Sequence, residues 1–179
     1  VISYTDNEGN SEQITTGSKN IYFDSFGITA TGGSGNDLLI GSNNSDTLKG
    51  LEGDDEIYGG DGDDDIRGNE GDDILSGESG NDIIYGGSGI DVIRGGEGND
   101  SLYDFGDSII YGEGGDDVIR VDTSDYSNQF TDGLIVFGGD GSDNIYGREF
   151  KKVDAGSGDD IVTTSFSNDQ NPILIGGDG

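Results

Sequence analysis

From position 32 to position 103 one nine-residue pattern recurs eight times without a gap. GGSGNDLLI, GLEGDDEIY and GGEGNDSLY are three of the copies. Place six holds Asp37, Asp46, Asp55, Asp64, Asp73, Asp82, Asp91 and Asp100. Place eight holds Leu39, Leu48, Ile57, Ile66, Leu75, Ile84, Ile93 and Leu102. An acid and an aliphatic that never lose phase predict stacked structural units, each contributing one ligand and one core residue. The expected fold class is all-β, a parallel β-roll or β-helix solenoid with two copies in each 18-residue coil.

Composition argues against any other compact fold. The 179 residues carry 38 acidic and 8 basic side chains, a net charge of −30, and only 29% are hydrophobic. Such a chain has too little apolar surface and too much self-repulsion to fold around an ordinary core. It contains no His and no Cys, which removes disulfides and the usual zinc sites. Nucleic acid is excluded as a partner by the shortage of Lys and Arg. Direct membrane insertion is also not expected, since no run resembles a spanning helix or a signal peptide.

Glycines at places one, two and four permit tight turns, and the last three places read as a short strand. Alternation along that strand points place eight inward and places seven and nine outward. Inward-facing turn carbonyls plus the place-six carboxylate make an all-oxygen donor set. That set suits Ca2+ better than Mg2+, which demands strict octahedral order. The carbonyl candidates at places one, three and five are Gly32, Ser34 and Asn36; Gly50, Glu52 and Asp54; Gly59, Asp61 and Asp63; and Gly68, Glu70 and Asp72. Gly77, Ser79 and Asn81, Gly86 with Ser88, and Gly95 with Glu97 continue the set. At place five, the side chains of Asp54, Asp63, Asp72, Asp116 and Asp159 are expected to face water.

Each turn stacks on the turn two copies later, so Asp37 pairs with Asp55 and Asp46 with Asp64. Beyond position 103, copies return with interruptions as GEGGDDVIR, GGDGSDNIY and AGSGDDIVT, with Asp117, Asp143 and Asp160 at place six. This geometry predicts roughly six to eight ions, with Asp100–Asp117 and Asp143–Asp160 framing the last two sites. Between these copies lie DFGDSIIY, residues 121–137, GREFKKVD and TSFSNDQNPILI. Each keeps an aliphatic one place before its end, at Ile110, Val136, Val153 and Leu174. The roll is therefore expected to continue there, with loops bulging from one edge and metal sites lost. Asp107 falls at the wrong place, and Lys151 and Lys152 argue against an ion beside them.

Three regions follow: 1–31 as flanking or capping strands, 32–103 as the contiguous array, and 104–179 as a degenerate continuation. The last four residues, GGDG, open another copy, so the chain reads as a piece of a longer protein with flanking domains as partners.

The pattern resembles the RTX (repeats-in-toxin) nonapeptide, G-G-x-G-x-D-x-aliphatic-x. Ser42 and Asn44 depart from it, standing where that pattern has glycine. The resemblance implies a β-roll that is disordered without calcium and folds when the ion binds. It also implies a secreted bacterial protein exported by type I machinery; cytolysins, metalloproteases, lipases, adhesins and alginate epimerases share the repeat. No catalytic residue is expected within the array, because carboxylates held by metal cannot act as proton donors. Place nine carries Tyr58, Arg67, Tyr85, Arg94, Tyr103, Tyr111, Arg120 and Tyr146, an outward stripe that reads chiefly as cross-strand packing. A polysaccharide or cell-surface partner gripped by that stripe is the alternative.

Overall fold

The computed structural model describes residues 2–5, 11–14, 27–122, 133–148, 150–165 and 173–177. Among them there are strands and no helix. Two short strands come first, β1 (Ile2–Thr5) and β2 (Ser11–Ile14). One sheet then stacks β3 (Thr29–Thr31), β5 (Thr47–Glu52), β7 (Asp65–Glu70), β9 (Ile83–Ser88), β11 (Ser101–Asp104), β13 (Val118–Val121), β15 (Asn144–Arg148) and β17 (Ile161–Ser165). The facing sheet stacks β4 (Leu38–Ile40), β6 (Glu56–Asp61), β8 (Ile74–Ser79), β10 (Val92–Glu97), β12 (Ile109–Gly114), β14 (Ile135–Asp140), β16 (Lys152–Ser157) and β18 (Ile173–Ile175). Successive strands alternate between sheets, and every neighbouring pair from β3 to β18 is parallel. The fold is a parallel β-roll with two nonapeptides per coil.

Register confirms the period directly. Thr47 pairs with Asp65 and Asp65 with Ile83, eighteen positions apart each time. The strands are longer than the three places read from the sequence. β6 opens at place seven with Glu56 and runs through Asp61, place three of the next copy. Only places four to six turn the chain. The pairing skips place one, as Tyr58 matches Ser76 and then Gly60 matches Glu78. The register thus passes over each place-one glycine, although the Gly32 and Gly41 N–H groups still donate to Lys49 O and Tyr58 O of the next coil.

The core is a double file of place-eight aliphatics. Leu48, Ile57, Ile66, Leu75, Ile84, Ile93 and Leu102 are 0% exposed, and Ile110, Ile119, Val136, Ile145 and Val153 continue the file. Each pairs with the place-eight aliphatic of the adjacent coil, as Leu48 does with Ile66 and Ile57 with Leu75, so a narrow core is repeated rather than enlarged. Leu174 is the exception to the sequence reading. It pairs with Val153 but remains 52% exposed, because no described coil covers that end.

Insertions leave the stack intact. β14 pairs with β12 in register, although Ile109 and Ile135 are 26 positions apart. The final strand residues of DFGDSIIY and GREFKKVD, Ile109–Tyr111 and Lys152–Asp154, and residues 173–175 all fall in the sheet that begins with β4. Degenerate pieces occupy alternate copies, so parity collects them at one edge of the roll. At the other end, β1 lies antiparallel to both β3 and β2. The turn anticipated at residues 7–10 and most of the 121–137 insertion lie outside the described residues.

Candidate metal centre

The place-six aspartates form two ladders, one along each edge. Aliphatic packing at place eight and backbone pairing hold successive turns in register. Each carboxylate thus arrives over the backbone of the coil before it. On one edge, the N–H groups of Asp37, Asp55 and Asp73 donate to Oδ1 of Asp55, Asp73 and Asp91 at 2.7, 2.8 and 2.9 Å. On the other, the same bond links Asp46, Asp64, Asp82, Asp100, Asp117, Asp143 and Asp160 in turn. Asp100 meets Asp117, and Asp143 meets Asp160, as the spacing predicts. Asp117 also meets Asp143 across 26 positions, a contact hidden from a reading based on period. The second ladder is therefore unbroken through the insertion.

The other oxygen of each carboxylate has no partner. Oδ2 of Asp55, Asp64, Asp73, Asp82, Asp91, Asp100, Asp117, Asp143 and Asp160 is buried and accepts no hydrogen bond. At the first turns the arrangement differs, since Asp37 and Asp46 Oδ2 accept the N–H groups of Gly33 and Ser42. A row of bare, buried anionic oxygens is costly unless a cation meets it. Burial accordingly pushes the carboxyls of Asp55, Asp82, Asp100 and Asp143 up to about 6, Asp117 to about 7 and Asp64 to about 8. The backbone N–H that each accepts opposes this rise, and neighbouring carboxylates add to it. Burial raises Asp73 as well.

Backbone carbonyls complete the donor set. A Cβ placed on Gly68 would collide with Asp73 Oδ2 and stand 2.7 Å from Gly86 O. The same pairing recurs at Gly59, between Asp64 Oδ2 and Gly77 O, and at Gly77, between Asp82 Oδ2 and Gly95 O. Place-one glycine is thus a cradle where a carboxylate oxygen and a backbone carbonyl converge. Of the other carbonyl candidates, those at place three in Glu70, Ser79, Ser88 and Glu97 each accept one glycine N–H from the preceding coil. One lone pair remains on each. Among the described residues, no three acidic, His or Cys side chains gather at one point. A cation here would be met by carboxylates one per turn and by backbone oxygens. Hard oxygen donors without nitrogen or sulfur fit Ca2+.

Place five does more than face water. Asp54 Oδ1 accepts the N–H of Asp72, Asp63 Oδ1 that of Asn81, and Asp116 Oδ1 that of Ser142. This second side-chain ladder runs opposite to the first: a later coil donates to an earlier one. Enrichment of Asn and Asp at place five is its sequence signal.

The place-nine stripe divides between the two sheets. Tyr85 and Tyr103 stack at 4.8 Å with Arg67 over Tyr85, whereas Tyr111 and Phe137 stack at 5.0 Å between Arg94 and Lys152. Neighbouring side chains cover the ring faces of Tyr85, Tyr111 and Phe137, as cross-strand packing requires.

Neither the curated proteins nor the solved structures compared with the chain match it. A family model described as the RTX calcium-binding nonapeptide repeat matches residues 31–66, 40–75, 58–93, 76–103, 104–123 and 135–149. These segments span more than half of the chain and include every bare place-six carboxylate except that of Asp160. The chain belongs to the RTX calcium-binding nonapeptide repeat family.

Proposed function

We propose that this chain is a calcium-operated folding module of a secreted protein, non-catalytic in itself. The observation that carries the reading is the row of buried Oδ2 atoms without a donor. Its ligands are the place-six aspartates Asp37, Asp46, Asp55, Asp64, Asp73, Asp82, Asp91, Asp100, Asp117, Asp143 and Asp160, together with turn carbonyls. Bound calcium supplies the positive charge that joins one coil to the next, so its binding energy is folding energy. A buried carboxyl raised from 3.8 to about 6 costs ~3 kcal/mol when ionised at pH 7. Several such groups rival the ~5–15 kcal/mol net stability of a typical domain. Extracellular calcium modules bind at ~10⁻⁴–10⁻³ M, far above cytosolic calcium. The chain would thus stay unfolded inside the cell and fold after export. Strands β1 and β2 would cap the first coil, and flanking domains of a longer protein would supply its activity.

Circular dichroism and calorimetry during a calcium titration test this reading. Coil-like spectra in chelator should give way cooperatively to β signal at millimolar calcium, with roughly six to eight ions bound. A folded spectrum in excess chelator at neutral pH would refute it. An adhesin gripping polysaccharide through Tyr85 and Tyr103 is the competing class. Stacking leaves mainly the ring edge of Tyr85 for such a partner, and unchanged glycan retardation in Tyr85→Ala with Tyr103→Ala would eliminate it.

A further inference from the structure

One tier of the roll departs from the repeat. Above Asp91 the place-six position is Ser108, whose Oγ accepts the Asp91 N–H at 2.9 Å. Ser108 preserves the ladder bond and brings no charge. DFGDSIIY is also one residue short, which puts Asp104 where other copies have their place-one glycine. Asp104 is 1% exposed; its Oδ2 accepts the Gly106 N–H at 2.9 Å, and its Oδ1 has no partner. At the other place-one cradles, Asp Oδ2 faces a backbone carbonyl. At Gly86 it does not: a Cβ there would collide with Asp104 Oδ1 and lie 2.5 Å from Asp91 Oδ2. The carbonyl has been replaced by a second carboxylate. Asp91 is 0% exposed and its Oδ2 is likewise bare.

Two buried anions aimed at one point repel strongly in a low-dielectric interior. A divalent cation is the partner that satisfies both at once. We propose that Asp104 is a calcium ligand, and that Asp91 and Asp104 form a two-carboxylate site binding calcium more tightly than the repeating tiers. The inference rests on the calcium reading above and adds to it a ligand outside the nonapeptide pattern. Affinity rises with the number of charged ligands, so the lost place-six acid is more than replaced.

The test is calorimetric calcium titration of the full chain, comparing the unaltered protein with Asp104→Asn. Asparagine keeps the acceptor for Gly106 and removes only the charge. The tightest class should lose one ion, or weaken at least tenfold, while the other ions still bind and the β spectrum at saturating calcium is unchanged. Adding Ser108→Asp to Asp104→Asn should restore tight binding, which keeps the test informative if the single variant folds poorly. If the unaltered chain binds calcium and Asp104→Asn binds it with identical stoichiometry and affinities, the inference fails alone. The Asp91–Asp104 pair then shares a proton instead. If the unaltered chain binds no calcium, the calcium reading fails with it.

Discussion

Replacing Asp82 by Asn should change stability with opposite signs in chelator and in calcium. Asp82 Oδ1 accepts the Asp64 N–H at 2.8 Å, and asparagine retains that bond. The orphaned Oδ2 becomes an amide donor beside Gly95 O, where both atoms crowd the Gly77 cradle. Without metal, the variant loses a carboxyl that burial holds at about 6, which relieves ~3 kcal/mol at pH 7. With metal that relief persists, and loss of the charged ligand should outweigh it by weakening calcium binding by more than about 150-fold, ~3 kcal/mol. Urea denaturation followed by circular dichroism measures both. The chelator arm needs an excluded osmolyte to populate the folded state. Stabilisation in chelator with destabilisation in calcium supports the ladder as a cation site. If Asp82→Asn destabilises equally in both, the carboxylate serves only as a hydrogen-bond acceptor and the argument from bare oxygens is wrong.

The remaining predictions concern core, turn and pH. Ile84→Ala, at a fully buried site, should cost ~2–5 kcal/mol in saturating calcium, seen as a lower urea midpoint. Gly80 has φ +138°, and an added Cβ would collide with Gly62 O. Gly80→Ala should therefore destabilise by at least ~1–3 kcal/mol and weaken calcium binding at that edge, as calorimetry would reveal. Acidification in chelator should promote folding. The buried carboxyls have folded-state pKa values of about 6 to 8, above the ordinary 3.8. Their contribution is thus fully present below pH ~4 and lost as pH rises through 6 to 8. A β signal that does not grow between pH 8 and pH 4 in chelator, in dilute monomeric protein, would contradict this.

Much of the architecture was legible because each copy repeats one environment. Place eight announced the core, and the 18-residue coil followed from two copies closing on themselves. Strand length was not legible: Gly59 and Gly60 read as turn, yet backbone pairing extends β6 through Asp61. The place-five ladder was also missed, because acids at places five and six look alike until their carboxylates are seen to bond in opposite directions. Asp104 was invisible for a different reason. Its role depends on a one-residue deletion that puts a side chain where every other tier has a carbonyl.

The sequence alone determined the period, the inward aliphatic and one acid per turn, since these are local and recur wherever the chain returns to the same position. Tertiary structure decided which oxygen of each acid is spent on the neighbouring backbone and which is left bare. It also decided that Asp117 meets Asp143 across an insertion and that Asp91 faces Asp104. Those facts follow from stacking, because neighbours in a roll are chosen by hydrogen-bond register between coils and not by separation along the chain.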